Sequence, residues 1–94
     1  MKIVFSSQAK ADLAEIVNFI AYDKPQAARK LATSIRQSVL KLSDFPKMGR
    51  TVPEFADETI RELIKGQYRV VYKVDDKKNT IVSVTIHHGR RPLL

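Results

Sequence analysis

Near its end the chain sets two imidazoles and two guanidiniums side by side: His87, His88, Arg90 and Arg91 around Gly89, in IHHGRR. Imidazole titrates near neutrality, so a histidine here could act as general acid or base. Guanidinium groups beside it could clamp a phosphate through paired N–H donors. Further cations stand upstream in YRVVYKV, where Arg69 and Lys73 fall on one face of a strand. Alternation puts His87 on that same face and sends His88 to the other. Adjacent histidines that point apart make a poor metal pair. With no cysteine, no HxxxH spacing and no carboxylate cluster to add to them, neither a metal nor another cofactor is expected.

Each of these residues also has a purely structural reading. A histidine near a strand end can be a surface or capping residue. Arg69, in mid-strand, can lay its stem over the sheet and pair with Glu62 or Glu54. Arg90 and Arg91, after a glycine that lets the backbone leave the sheet, can be a basic end with no further role. In PKMGRTVPE, Gly49 and Arg50 read first as turn chemistry, with Arg50 able to bridge to Glu54 or Glu62. Tyr68 and Tyr72, at strand spacing, belong with the core. Three tyrosines, no tryptophan and no aromatic ladder favour a protein-binding surface over a single-stranded RNA platform.

The elements that must position these groups follow from periodicity. KIVFS reads as a first strand, with Ile3 and Phe5 on one face and Val4 on the other. Ser6 or Ser7 supplies an N-cap. Ala9, Leu13, Ile16, Val17 and Ile20 then recur at helical spacing and leave Lys10, Asp12, Glu15 and Asn18 for water or a partner. In YDKPQAARK the residue before proline resists helical geometry, while Pro25 suits the first turn of a second helix. That helix carries Ala28, Leu31, Ala32, Ile35, Val39 and Leu42 as its stripe and ends in SDFPKMGR. TVPEFADE is a loop, and strands follow at 59–64, 67–74 and 80–87 with links short enough to force antiparallel pairing.

Tyr68, Val70, Tyr72 and Val74 should face the core, as should Val82, Val84 and Ile86. The opposite face would then carry Arg69, Val71 and Lys73 beside Ile81, Ser83, Thr85 and His87. The preceding strand contributes either Arg61 and Leu63 or Ile60, Glu62 and Ile64 to that face. The expected architecture is α+β, in the order β-α-α-β-β-β, with a helical hairpin packed on one side of an antiparallel sheet. Its second side, half-polar and cationic, is left open to solvent or to a partner.

Ninety-four residues fit a single compact domain, 1–94, with one core. Lys and Arg number 17 against 10 Asp and Glu, so the chain is basic at +7 and suits an acidic protein or a polyanion as partner. A surplus of this size can equally be a solubility device. It is spread over both halves of the chain, so a basic patch has to be assembled by folding. The apolar run in MKIVFSSQAK is too short for a signal-peptide core or a membrane span, so a soluble protein of the cytoplasm with no membrane partner is expected.

The order of elements, together with four stretches of sequence, resembles the RelE/ParE toxins of bacterial type II toxin–antitoxin systems. The stretches are AKADLAEIVNFIAYDKPQAARKLATSI across the helical hairpin, LSDFPKMGRTVPE at its exit, IRELIKGQYRVVYKV in the middle strands and IHHGRR at the end. The resemblance implies the fold just described, growth inhibition, and neutralisation by a cognate antitoxin whose acidic C-terminal segment folds as it wraps the toxin. RelE-like members cut mRNA at the ribosome, whereas ParE-like members inhibit DNA gyrase by binding. Arg61, Arg69 and Arg90 match positions that are basic in RelE-like enzymes. A metal-independent endoribonuclease would set them around the phosphate, with His87 as acid or base. Leu63, however, stands where those enzymes carry a second lysine, and Pro92, Leu93 and Leu94 stand where they usually carry a tyrosine. ParE-like gyrase inhibition is therefore the first expectation, with Arg69, Lys73, His87, His88, Arg90 and Arg91 as the target- or partner-binding set. The endonuclease, using Arg61, Arg69, His87 and Arg90, is the second.

Overall fold

The computed structural model describes residues 1–89. Its elements are β1 (Lys2–Phe5), α1 (Ser7–Ala21), α2 (Pro25–Lys41), β2 (Arg50–Thr51), β3 (Ile60–Lys65), β4 (Tyr68–Asp75) and β5 (Thr80–His88). The fold is the α+β one expected, a helical hairpin on one face of a sheet ordered β1-β5-β4-β3-β2. Two features depart from the expectation. Residues 50–51, within the presumed loop, form a short edge strand against β3. β1 joins β5 in parallel, so the sheet is mixed at that edge.

Local chemistry accounts for the element ends. Ser6 caps α1, its Oγ accepting the Ala9 N–H at 3.0 Å, one of the donors the first turn leaves over. Pro25 opens α2, where its missing N–H costs nothing. The β3–β4 link turns at Gly66 with φ +57°, a left-handed backbone that glycine adopts without strain. None of the helices among the described residues is long and apolar enough to cross a membrane.

The helical stripes meet the inner face of the sheet as expected, with Leu13, Ile35, Val39 and Leu42 packed over Val70, Tyr72 and Val74 in one cluster. On β5 the expected inner face holds at Ile86 and is wrong at Val82 and Val84. Val71 opposes Thr85 while Tyr72 opposes Ser83, which leaves Val84 as the extra residue of a bulge. Alternation reverses across it. Ile81 and Ser83 therefore face the core along with Ile86, and Val84 is exposed. Ser83 Oγ, fully buried, has no hydrogen-bond partner among the described residues.

Pairing with β4 also settles which face of β3 is which. Ile60, Glu62 and Ile64 stand opposite Lys73, Val71 and Arg69, so Arg61 and Leu63 point to the helices. The expectation of an open second face fails over its centre. Glu62, Arg69 and Val71 are buried there, where the segment between β2 and β3 returns and Glu54 reaches Arg69.

One buried hydroxyl ties the exit of α2 to the middle of the sheet. Tyr72 Oη donates to the Pro46 carbonyl at 2.9 Å and accepts the Gly49 N–H at 2.9 Å. Burial pushes this phenol above its ordinary value, more than the Gly49 N–H and the Arg61 charge pull it down, so it remains a donor. A methyl group on Gly49 would lie 2.6 Å from both the Glu62 carbonyl oxygen and Tyr72 Oη, so this position admits glycine alone without backbone movement. Tyr72→Phe leaves a donor and an acceptor unpaired and should cost about 1–3 kcal/mol in urea unfolding. Gly49→Ala should cost at least as much, and unfolding midpoints unchanged in both variants would show that Tyr72 does not hold the segment.

Candidate functional site

Arg69 is the second residue of β4, on the face away from the helices and almost wholly buried. A buried guanidinium has to be matched by carboxylates that take its hydrogen bonds. Its Nε donates to Glu62 Oε1 at 2.5 Å, and its Nη1 and Nη2 donate to the two oxygens of Glu54 at 2.7 and 2.9 Å. The second oxygen of Glu62 accepts Arg50 Nε at 2.7 Å from β2. Of the pairings left open by the sequence, Arg69 makes both, and Arg50 bridges to Glu62. The result is a row of alternating charge, Arg50–Glu62–Arg69–Glu54, in which Glu62 has no exposed side-chain surface. The hydrogen bonds that Arg69 donates to Glu54 and then Glu62 push its guanidinium still further above its ordinary value. Its charge is permanent and internally balanced.

The remaining predicted residues are not gathered around it. His87 is the cross-strand neighbour of Arg69 and shares its face, half-buried. Lys73 lies on the same face, exposed, opposite Val82 at the other end of the strand pair. His88 points the other way; its ring meets Tyr68 edge-on at 5.6 Å, and its Nε2 lies 3.0 Å from Gln67 Oε1. Arg61 is on the helix side, where its Nη1 donates to the Gly49 carbonyl at 2.9 Å. Arg90 and Arg91 lie outside the described residues. Of the four residues an endonuclease would use, Arg69 and His87 are adjacent and Arg61 is across the sheet from them. Among the described residues no group of three or more histidines, cysteines and carboxylates is arranged to hold a metal ion.

Asp12, left to solvent by the sequence pattern, has a structural duty instead. β1 pairs with β5 as far as Ser83, so the end of β5 presents a bare edge there. Asp12 Oδ2 accepts Thr85 Oγ1 at 2.6 Å and the Ile86 N–H at 3.0 Å, while Oδ1 accepts Gln8 Nε2 at 2.7 Å. Burial raises this carboxyl. The bonds from Thr85, Ile86 and Gln8, with the nearby His87, outweigh it and hold the group below its ordinary value. No local signal marks Asp12, because the strand it serves lies 73 residues on. Between α1 and β5 a shallow cleft of about 290 Å³ brings Asp12 and Glu15 opposite His87 and His88.

A larger feature lies between the two helices and reaches Phe5 of β1. A groove of about 740 Å³ runs between α1 and α2 over Leu13, Val17 and Ala32, with Lys10, Arg29 and Arg36 along it and no carboxylate in its lining. It joins an apolar floor to a cationic rim. The sequence shows each helix's inner stripe clearly, but the groove depends on how the two helices cross.

Removing one partner from the buried row strands the other. Glu62→Ala and Arg69→Ala should each lose about 3–5 kcal/mol in denaturant unfolding, and a loss below 1 kcal/mol would show that the row is not desolvated. For Asp12 the folded group titrates below the ordinary 3.8, so its contribution to stability is present above that pH and is lost as pH falls through its lower folded value. The melting-temperature gap between wild type and Asp12→Asn should therefore be constant near neutrality and close below pH 3.8, and a gap that stays constant to low pH would contradict the assignment.

Comparison with known proteins agrees with this architecture. Residues 3–93 match the family described as the ParE toxin of the type II toxin–antitoxin system parDE. The chain is 31% identical over 91 residues to Toxin RelE2 of Caulobacter vibrioides, covering 96% of this chain and 97% of that protein. Among solved structures, the chromosomal ParDE toxin–antitoxin system of P. aeruginosa superposes with a TM-score of 0.75 at 21% identity, covering 94% of this chain and 95% of that one. The RelBE2 toxin–antitoxin complex of Mycobacterium tuberculosis gives 0.65 at 20% identity, with 93% and 95% covered. The isolated E. coli RelE toxin gives 0.66 at 13% identity, with 98% and 87% covered. By its sequence pattern from Ile3 to Leu93, the chain belongs to the RelE/ParE family and is a toxin of a type II toxin–antitoxin system.

Proposed function

We propose that this toxin arrests growth by binding rather than by catalysis, in the ParE-like manner, with DNA gyrase as its target, and that a cognate antitoxin neutralises it in the cytoplasm. The observation that carries this reading is the state of Arg69. A phosphoryl-transfer site needs cations aimed at the charge that develops on the phosphate. Arg69 is the best-placed candidate for that role, and it is buried and chelated by Glu54 and Glu62. To meet a phosphate it would have to give up carboxylates that are themselves buried or half-buried. Arg61 faces the other side of the sheet. Leu63, in the core beneath, supplies no second cation on that strand.

The endonuclease remains as the second reading, supported by the adjacency of Arg69 and His87 across β4 and β5. In that mechanism His87 would exchange the proton of the attacking 2′-hydroxyl, and His87→Ala would abolish cleavage.

The antitoxin fits the groove between the helices. An acidic amphipathic segment that folds on docking would bury its apolar side on Phe5, Ala14 and Val17 and set its carboxylates against Lys10, Arg29 and Arg36. The structures it superposes on include toxin–antitoxin complexes, which supports an antitoxin partner of this general kind.

Expression of the wild-type toxin should stop growth with induction of the SOS response and with inhibition of gyrase supercoiling by the purified protein. His87→Ala, which on this reading removes a contact and not a catalytic group, should weaken both at most several-fold. Codon-specific transcript cleavage that His87→Ala abolishes would reverse the order of the two readings. In the groove, Lys10→Glu combined with Arg29→Glu should weaken neutralisation by the antitoxin encoded beside the toxin about tenfold or more, mainly through slower association. Neutralisation unchanged by that reversal would place the antitoxin elsewhere.

A further inference from the structure

The turn that leaves α2 exposes Phe45 and Met48, with 62% and 47% of their surfaces open, and neither belongs to the core cluster. Apolar side chains on a loose loop would fold back or move. Here the backbone that carries them is held at four positions. Phe45 N–H donates to the Lys41 carbonyl, Met48 N–H to the Phe45 carbonyl, and Tyr72 Oη holds Pro46 and Gly49 from within the sheet. The lock uses the largest fully buried side chain among the described residues and a glycine that no other residue can replace without backbone movement. Two apolar groups are thus presented outward in one conformation. Such preorganisation lowers the ordering cost that an interface must meet.

The exposed charges next to them in the chain are Lys41, Asp44 and Lys47, with Lys47 between the two apolar residues, while the charge of Arg50 is met by Glu62. The complement is a protein surface with an apolar recess edged by carboxylates, since aromatic and methionine anchors are enriched at the centres of such interfaces. A nucleic acid would make poor use of Met48, and one aromatic ring is no stacking platform. The position is also distinct from the helical groove. That groove is lined by Arg29, Ala32, Thr33 and Arg36 of α2, whereas Phe45 and Met48 follow the end of the helix and lead into β2 at the far edge of the sheet.

We infer that the rigid Phe45–Met48 turn, with Lys47 at its rim, is the surface by which the toxin docks on its protein target. This rests on the reading of the toxin as a gyrase-binding protein and adds the place of contact. Antitoxin in the groove between the helices and target on the turn after α2 would then occupy separate surfaces.

The test is a binding titration of purified wild type, Phe45→Ser/Met48→Ser and Lys47→Glu against reconstituted DNA gyrase, with thermal melts and circular dichroism to confirm folding. Both sites are exposed, so all three proteins should melt within a few degrees of one another. The double variant should bind at least tenfold more weakly and fail to arrest growth. Lys47→Glu should bind several-fold more weakly, with a reduced dependence on salt. Should the double variant fail to fold, Lys47→Glu alone decides. Gyrase binding and growth arrest that survive in the folded variants would overturn the proposed surface while leaving the gyrase reading in place. Absence of gyrase binding by the wild type would overturn that reading, and with it the occupant assigned here. Wild-type retention on phosphatidylserine vesicles that the double variant loses, with gyrase binding unaltered, would reassign the turn to a lipid surface and overturn the proposal.

Discussion

A guanidinium in the interior has to be neutralised where it stands, and the arrangement of the sheet's second face follows from that requirement at Arg69. Its three donated bonds need two carboxylates from different parts of the chain, Glu62 on the neighbouring strand and Glu54 on the segment before it. Glu62 can serve only if β3 turns that side outward, which sends Arg61 and Leu63 to the helices. Glu54 can serve only if its segment folds back over the sheet, which buries Val71 and closes the middle of a face that would otherwise be bare. Arg50 then balances the remaining oxygen of Glu62 and helps to hold the two-residue strand β2 in place. Buried ion rows of this kind are weak contributors to net stability compared with apolar packing, but they tolerate few alternative arrangements. Here the row selects one register for three strands.

The helix side is governed by a different constraint, the meeting of two apolar stripes with the inner face of the sheet. Tyr72 links it to the edge. Its ring lies in the core while its hydroxyl reaches the turn after α2, so core packing and the conformation of an exposed segment are one structure. Asp12 does comparable work at the other side of the sheet, closing the edge that the short β1 leaves bare. Both residues spend polar groups on joining elements that are distant in sequence.

These constraints bear on chemistry. The strand positions whose matches implied a phosphate site are occupied by groups already committed within the fold: Arg69 to two carboxylates, Arg61 to a backbone carbonyl. What the surface offers instead is shape with charge, a cation-lined apolar groove on the helices and a fixed apolar turn beside lysines. Both are suited to proteins, which supports the proposal of a toxin that works by contact.

Much of this was legible beforehand. Helical periodicity and the Pro25 break located both helices, Ser6 was one of two N-cap candidates, and alternation in YRVVYKV placed Val70, Tyr72 and Val74 in the core and Arg69 on the far face. These depend on neighbours within a turn or a strand, which a linear pattern records. The pairing of Arg69 with Glu54 and Glu62 was named as a possibility, but nothing local could choose it over a free cation. The face of β3 was undecidable because Arg61 and Leu63 alternate as well as Glu62 and Ile64 do. The inner face of β5 was misassigned at Val82 and Val84 because a bulge at Val84 shifts the alternation by one, and a bulge is a property of two strands together. In this protein the sequence by itself determined which segments are helix and strand and how charged the whole is, because those depend on short-range periodicity and composition. Tertiary structure alone decided which cations are neutralised, which edge Asp12 closes and which apolar residues stay outside, because each of those depends on how separate elements meet, from seven residues apart at Glu62 and Arg69 to 73 at Asp12 and Thr85.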